Sequence, residues 1–118
     1  VTVLTSISSE MLRDEVGIKA SAEKTVSRLA RLAVESGAHG IVSSPHEIAV
    51  VRESVGPGTL IVTPGIRPAW SGSDDQARFL TPREAARAGA DFIVVGRPIL
   101  KHEAPAEAVA LVLKELNS

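Results

Sequence analysis

Two arginines that follow apolar runs are the residues in this sequence best suited to chemistry. Arg67 lies in Val62-Thr63-Pro64-Gly65-Ile66-Arg67-Pro68, and Arg97 lies in Val94-Val95-Gly96-Arg97-Pro98. A guanidinium offers two parallel donors to a pair of phosphate oxygens, and glycine lets the backbone N–H come close to such an oxygen. The two stretches therefore predict an anion site, and a phosphate group is the anion that they suit best.

The polar stretch after Arg67 contains a third candidate ligand, Gln76, within Asp74-Asp75-Gln76. Its amide supplies donors and an acceptor for a phosphate or a base edge. The alternative is a solvated loop in which an aspartate caps a short helix. Trp70 in the same stretch is either a lid residue or packed beneath the loop, and the sequence leaves both choices open.

The remaining polar residues do not predict a metal site or a catalytic triad. The histidines lack metal-ligand spacing, and we interpret all of them as surface or structural residues: His39, His46 and His102. Asp74 and Asp75 are adjacent, so their side chains point apart and fit helix caps better than paired acid–base carboxylates.

Four short apolar runs predict the strands that position these residues: Val1–Leu4, Gly40–Ser43, Thr59–Val62 and Phe92–Val95. Helical patterns separate or follow the later runs, over about 21–36, 45–55 and 82–88 and from about 105 onward. The apolar face of the last helix carries Val109, Val112, Leu113 and Leu116. Ser44-Pro45-His46-Glu47 and Thr81-Pro82-Arg83-Glu84 each predict a capping box. The segment 36–42 is also repeated at 88–94.

This alternation predicts an α/β fold of four βα units with parallel strands and right-handed crossovers. The arrangement is either half of an eight-stranded barrel or a small open sheet. Polar residues follow every strand, at Thr5-Ser6, Ser43-Ser44, Arg67 and Gly96-Arg97. Because the carboxyl ends of parallel strands share one face, we expect these four groups to converge on one site.

The composition narrows the class of function. The 118 residues fit one domain, and no apolar run is long enough to suggest a membrane span. A net charge of −1 and few aromatic residues disfavour nucleic acid as a partner. The absence of cysteine suits a reducing compartment, and we expect a cytoplasmic protein.

The chain as a whole resembles the C-terminal half of bacterial orotidine 5'-phosphate decarboxylase. The resemblance is carried, in order, by Val3–Ser6, Val62–Pro68, Asp75–Arg78, Leu80–Pro82 and Val94–Ile99. It implies one unit over residues 1–118, the last four βα units of a TIM barrel. It also implies an enzyme that converts orotidine monophosphate to uridine monophosphate (UMP) and carbon dioxide without a cofactor, usually as a homodimer.

The same resemblance implies roles for individual residues. Thr5 lies beside the pyrimidine and ribose, and Ser6 lies near the base. The nucleotide-binding positions are Arg67, Gln76, Gly96 and Arg97, of which Gln76 and Arg97 serve the phosphate. The family's catalytic Asp-x-Lys-x-x-Asp motif does not occur in this chain, so we expect no catalytic residue here and no activity from the chain alone.

Two readings of different class follow. The chain is the C-terminal piece of a complete decarboxylase whose other half is cleaved, absent or a separate chain, or it is a catalytically silent half-barrel that binds phosphate or only self-assembles. Because an open sheet has two free edges, we expect it to pair with an N-terminal half-barrel or with a copy of itself. Another phosphate-binding barrel of the ribulose-phosphate type is a third possibility, which the Asp-Gln loop disfavours.

Overall fold

The computed structural model describes residues 1–72 and 79–118 and contains a parallel sheet covered by helices. The strands are β1 (Gly40–Val42), β2 (Leu60–Thr63) and β3 (Phe92–Ile93), paired in the order β1-β2-β3. The helices are α1 (Ser9–Asp14), α2 (Ala22–Glu35), α3 (Ile48–Val55), α4 (Pro82–Ala88), α5 (Arg97–Leu100) and α6 (Pro105–Leu116), and a 3-10 turn spans Pro45–Glu47. The predicted α/β class with parallel strands is confirmed.

The first predicted strand, Val1–Leu4, is not formed. The backbone N–H of Thr2 donates to the carbonyl of Val42 at 3.3 Å, and the Thr2 hydroxyl donates to the same oxygen at 3.4 Å. Val3 is buried, whereas Val1 and Leu4 are exposed. The segment therefore runs beside β1, but a strand needs a ladder of backbone bonds and this contact rests on one carbonyl.

The helices cover one face of the sheet and leave the other open. Ile41 and Ile61, which are paired in register, are fully buried in the core with residues of α2 and α3. Successive side chains of a strand point to opposite faces. Leu60 and Phe92, on the alternate positions, are 44% and 57% exposed. An apolar sheet face thus lies open to solvent in the described part of the chain.

Helix α6 shows the same one-sided burial. Ala108 and Val112 are buried, and α6 contacts α4 and α5. Val109 and Leu113, on the predicted apolar face, are 41% and 53% exposed. The neighbours of α6 within this chain cover only part of its apolar surface.

One of the two predicted capping boxes is present. The Thr81 hydroxyl accepts from the N–H of Glu84 at 3.3 Å, and the Glu84 carboxylate accepts from the N–H of Thr81 at 2.8 Å. The N–H of Thr81 and its hydroxyl, which also donates to this carboxylate at 2.8 Å, lower the pKa of Glu84. The predicted box at Ser44 and Glu47 is wrong, because the N–H of Glu47 donates to the Ser44 carbonyl at 3.0 Å in the 3-10 turn and leaves the hydroxyl without that donor.

A polar cluster fastens the amino ends of β2 and β3, at the opposite end of the sheet from the two arginines of interest. The guanidinium of Arg52 in α3 donates to the carbonyls of Gly56, Thr59 and Gly89 at 2.6–2.9 Å. Its Nη2 also contacts Asp91 Oδ2 at 2.6 Å. One side chain therefore joins the ends of two helices to the entries of two strands.

Asp91 completes this cluster from the β3 side. Its Oδ2 accepts a hydrogen bond from the N–H of Ile61 at 2.8 Å, which together with the Arg52 contact lowers the pKa of Asp91.

Among the described residues, no helix is long and apolar enough to cross a membrane.

We predict that Asp91→Asn lowers the free energy of unfolding by about 1–2 kcal/mol at pH 7, because a charged acceptor of two donors becomes neutral and the site is partly exposed. The lowered pKa means that the carboxylate's contribution is complete above the unfolded-state value of about 4 and is lost as pH falls through the folded value. Urea unfolding at several pH values measures this difference.

Asp14→Asn is the matched control, since Asp14 forms an exposed ion pair with Arg13. We expect it to change stability by less than about 0.5 kcal/mol. Equal midpoints for the protein and its Asp91→Asn variant at pH 7, or a difference that grows on acidification, would contradict the assignment.

Candidate anion-binding site

The backbone that carries Arg67 is held by the turn that precedes it and by contacts with Leu80. Gly65, just after β2, has a φ of +76°, and a Cβ at this position would lie 3.4 Å from the ring of Pro45. Glycine is suited to this left-handed turn because it has no Cβ. Ile66 is buried and bridges to Leu80, and the N–H of Arg67 donates to the carbonyl of Leu80 at 2.9 Å. Arg67 therefore follows a turn whose backbone position is fixed.

The side chain of Arg67 is buried, with only 7% of the residue exposed. Its Nε has no hydrogen-bond partner among the described residues. A buried charge is costly unless it is paired or hydrogen-bonded. This guanidinium is consequently a strong site for an oxygen acceptor that comes from outside the described residues.

Arg97 reaches the same region from β3. The N–H of Val94 donates to the carbonyl of Thr63 at 2.9 Å, which holds the end of β3 against β2. Gly96 then caps the short helix α5, of which Arg97 is the first residue. Gly96 is exposed, and no described atom lies within 4 Å of the place a Cβ would take. The approach to this backbone is open.

Both arginines line one cavity of about 290 Å³. The other lining residues are Trp70, Ser71, Pro98, Lys101 and His102. Arginine, lysine and tryptophan side chains are donors only, and the described lining contains no carboxylate. The cavity is therefore cationic and rich in donors, which are the properties that an anion site needs.

The wall of the cavity is formed by residues that fix one another. The rings of Trp70 and His102 meet edge to face, with centroids 5.4 Å apart and planes at 86°. Trp70 Nε1 is buried without a partner among the described residues. The Nδ1 of His102 accepts from the N–H of Ala104 at 3.0 Å, and the Ser71 hydroxyl donates to the carbonyl of Pro68 at 3.0 Å.

The structure brings together two of the four predicted polar strand ends. Arg67 and Arg97 share the cavity, and Gly96 immediately precedes Arg97. Thr5 and Ser6 lie in an exposed turn outside the cavity lining. Gln76, Asp74 and Asp75 fall outside the described residues. Ser43 is buried, and neither Ser43 nor Ser44 lines this cavity, so the convergence of all four strand ends on one site stays a prediction.

Sequence reasoning did not assign Ser71, Lys101 or His102 to this site, and it left Trp70 as either a lid residue or a residue packed beneath the loop. All four line the cavity. A signal for Lys101 was present, since it follows Arg97 by four residues and such residues share a helix face. His102, interpreted from the sequence as a surface or structural residue, is half-buried in the cavity wall.

Among residues 1–72 and 79–118, no cluster of three or more potential ligands could hold a metal ion.

Comparison with known proteins gives one consistent family. Residues 1–112 match the model of the orotidine 5'-phosphate decarboxylase / HUMPS family. A decarboxylase of this name from Anaeromyxobacter sp. (strain K) is 57% identical over 95% of the chain and 49% of the relative. The one from Heliobacterium modesticaldum is 50% identical over 98% of the chain and 48% of the relative.

A solved structure shows the same relation in three dimensions. The crystal structure of orotidine 5'-phosphate decarboxylase from Lactobacillus acidophilus superposes with a TM-score of 0.83 at 40% identity, over 99% of this chain and 47% of that one. The chain thus spans about half the length of the relatives it matches. Its parallel sheet, its helices and these matches identify it as a half-length member of the orotidine 5'-phosphate decarboxylase / HUMPS family.

Proposed function

We propose that this chain is the phosphate-binding half of an orotidine 5'-phosphate decarboxylase, with Arg67 and Arg97 holding the phosphate of the nucleotide. The observation that carries the proposal is the Arg67 guanidinium, which is buried, lacks a partner for Nε among the described residues and lines the same cavity as Arg97. A phosphate dianion would supply the missing acceptors.

The remaining site residues are proposed from the resemblance. Gln76 and Gly96 would contact the phosphate and its neighbouring atoms, while Thr5 and Ser6 would lie at the base and ribose. Exposure of the turn at Thr5 and Ser6 and the open space beside Gly96 support access by a ligand. The cavity of about 290 Å³ is at the lower end of the range for small-molecule sites, which suits one end of a nucleotide.

Binding the phosphate does not by itself break the bond to carbon dioxide. Binding energy from a remote group becomes rate only when catalytic residues act on the reacting atoms. This chain contains no Asp-x-Lys-x-x-Asp motif to supply a lysine proton for the carbon that loses carbon dioxide. In our proposal that motif belongs to the other half of the barrel.

An N-terminal half-barrel is the proposed companion of this chain. The open sheet face exposes Leu60, Phe92 and Val94, each by 44–57%, and β3 has only one neighbouring strand within the described residues. Exposed apolar surface and a free strand edge both favour association. A second copy of the chain is the alternative occupant, and this would correspond to a silent half-barrel that binds phosphate or only self-assembles.

We predict that Arg97→Ala weakens the binding of UMP by about tenfold to a hundredfold, since hydrogen bonds to charged groups contribute about 1.5–3 kcal/mol. Arg97 is exposed, so its removal should leave the fold intact. Arg67→Gln, which keeps an amide donor but removes the charge, should weaken binding by a similar factor. Isothermal titration calorimetry with UMP and with inorganic phosphate measures both variants.

Arg28→Ala is the matched control, because Arg28 is an exposed arginine of α2 that does not line the cavity. It should bind UMP as the unaltered chain does. Unchanged affinity in both cavity variants, or failure of the unaltered chain to bind UMP at millimolar concentration, would refute the phosphate site.

We further predict that the chain alone does not decarboxylate orotidine monophosphate, and that turnover appears on mixing with a polypeptide that spans the N-terminal half of the Anaeromyxobacter relative. The loss of orotidine monophosphate absorbance follows the reaction, and sedimentation of the mixture follows assembly. Turnover by the chain alone would show that catalysis does not need the other half. Assembly of the chain only with itself, without activity in the mixture, would favour the silent half-barrel.

A further inference from the structure

His102 lines the cavity, and contacts with Ala104 and Trp70 fix its imidazole ring. Resting on the function proposed above, we propose that His102 is an additional phosphate ligand, which donates from Nε2 to the anion held by Arg67 and Arg97. Trp70 would position its ring. The geometry of three contacts leads to this assignment.

The hydrogen bond to Ala104 sets the tautomer. The Nδ1 of His102 accepts from the backbone N–H of Ala104 at 3.0 Å. A nitrogen that accepts carries no proton, so the proton of the neutral imidazole lies on Nε2. Nε2, the other nitrogen of this ring, is therefore a donor, as an anion site requires.

The same contact sets the direction of the ring. His102 lines the cavity, whereas Ala104 does not. Nδ1 is engaged by Ala104, so in this proposal Nε2 is the ring nitrogen that faces the cavity. The ring is half-buried, which restricts its alternatives.

Trp70 packs against the imidazole ring of His102. The two rings meet at 86° with centroids 5.4 Å apart, a geometry that aromatic pairs favour. Trp70 follows Arg67 by three residues, and His102 follows Arg97 by five. This contact thus joins the two segments that carry the arginines.

The charge balance of the cavity fits a third donor. Each arginine can satisfy two oxygen lone pairs in a bidentate contact, and a phosphate monoester has three terminal oxygens with several lone pairs each. The described lining offers no carboxylate that would compete for the donor of His102. A phosphate between the arginines therefore has acceptor capacity left for Nε2.

Two variants separate the donor from the rest of the ring. In His102→Asn the side-chain oxygen can replace Nδ1 as the acceptor for Ala104, but nothing replaces Nε2. In His102→Gln the amide nitrogen reaches toward the place of Nε2. We expect His102→Asn to weaken the binding of inorganic phosphate about threefold to tenfold, as one neutral hydrogen bond does, and His102→Gln to retain most of the affinity.

Inorganic phosphate is the probe because it lacks the base and ribose, and the fluorescence of Trp70, the single tryptophan, reports its binding. Equal affinity in His102→Asn and the unaltered chain would overturn the assignment while leaving the arginine site in place. Equal losses in both histidine variants would overturn it too, since the ring would then act only by packing. Failure of the unaltered chain to bind phosphate would remove both this assignment and the proposed function.

A measurement on the unaltered chain covers the case in which His102→Asn does not fold. Long-range proton–nitrogen NMR spectra distinguish the two nitrogens of each imidazole. We expect a histidine with its proton on Nε2, whose Nε2 resonance moves as phosphate is added while Nδ1 remains an acceptor. A proton on Nδ1 of His102, or an Nε2 resonance that phosphate does not move, would contradict the proposal.

Discussion

The buried guanidinium of Arg67 is the constraint on which the site depends. Only 7% of the residue is exposed, and its Nε has no partner within the described residues. The turn at Gly65 and the backbone bond to Leu80 hold the residue in that position. Because a buried charge is costly unless it is paired, this guanidinium needs an acceptor from outside the described residues. Arg97 lines the same cavity.

The polar contacts that stabilise the sheet and the residues of the candidate binding site lie at opposite ends of the strands. At the amino ends of β2 and β3, Arg52 and Asp91 satisfy each other and four backbone groups within the chain. At the carboxyl ends, Arg67 and Arg97 line a cavity without a carboxylate among its described residues. Arginine is thus paired within the chain at one end, and at the other end we propose that it binds a ligand. This division is the general expectation for parallel α/β folds.

Local patterns predicted helices α2, α3, α4 and α6, strands β1, β2 and β3 and the two arginines, because periodicity, capping and glycine turns act over a few residues. Thr81 and Glu84 formed the predicted box. Properties that depend on distant partners were beyond such patterns. Val1–Leu4 has strand composition, but within the described residues one carbonyl of β1 bonds to it, and Leu113 lies on an apolar helix face yet is 53% exposed. The half-buried place of His102 likewise depends on Trp70, more than thirty residues away in the chain.

These observations describe a half-length chain with an exposed apolar sheet face and a cavity lined by two arginines. We propose that this chain supplies the residues that bind the phosphate and that another segment supplies the catalytic residues. The most direct test of this account is a crystal structure of the chain with UMP bound. The account predicts the phosphate within about 3 Å of guanidinium nitrogens of both Arg67 and Arg97. A phosphate bound elsewhere, with the Arg67 guanidinium paired to a side chain of the protein itself, would contradict it.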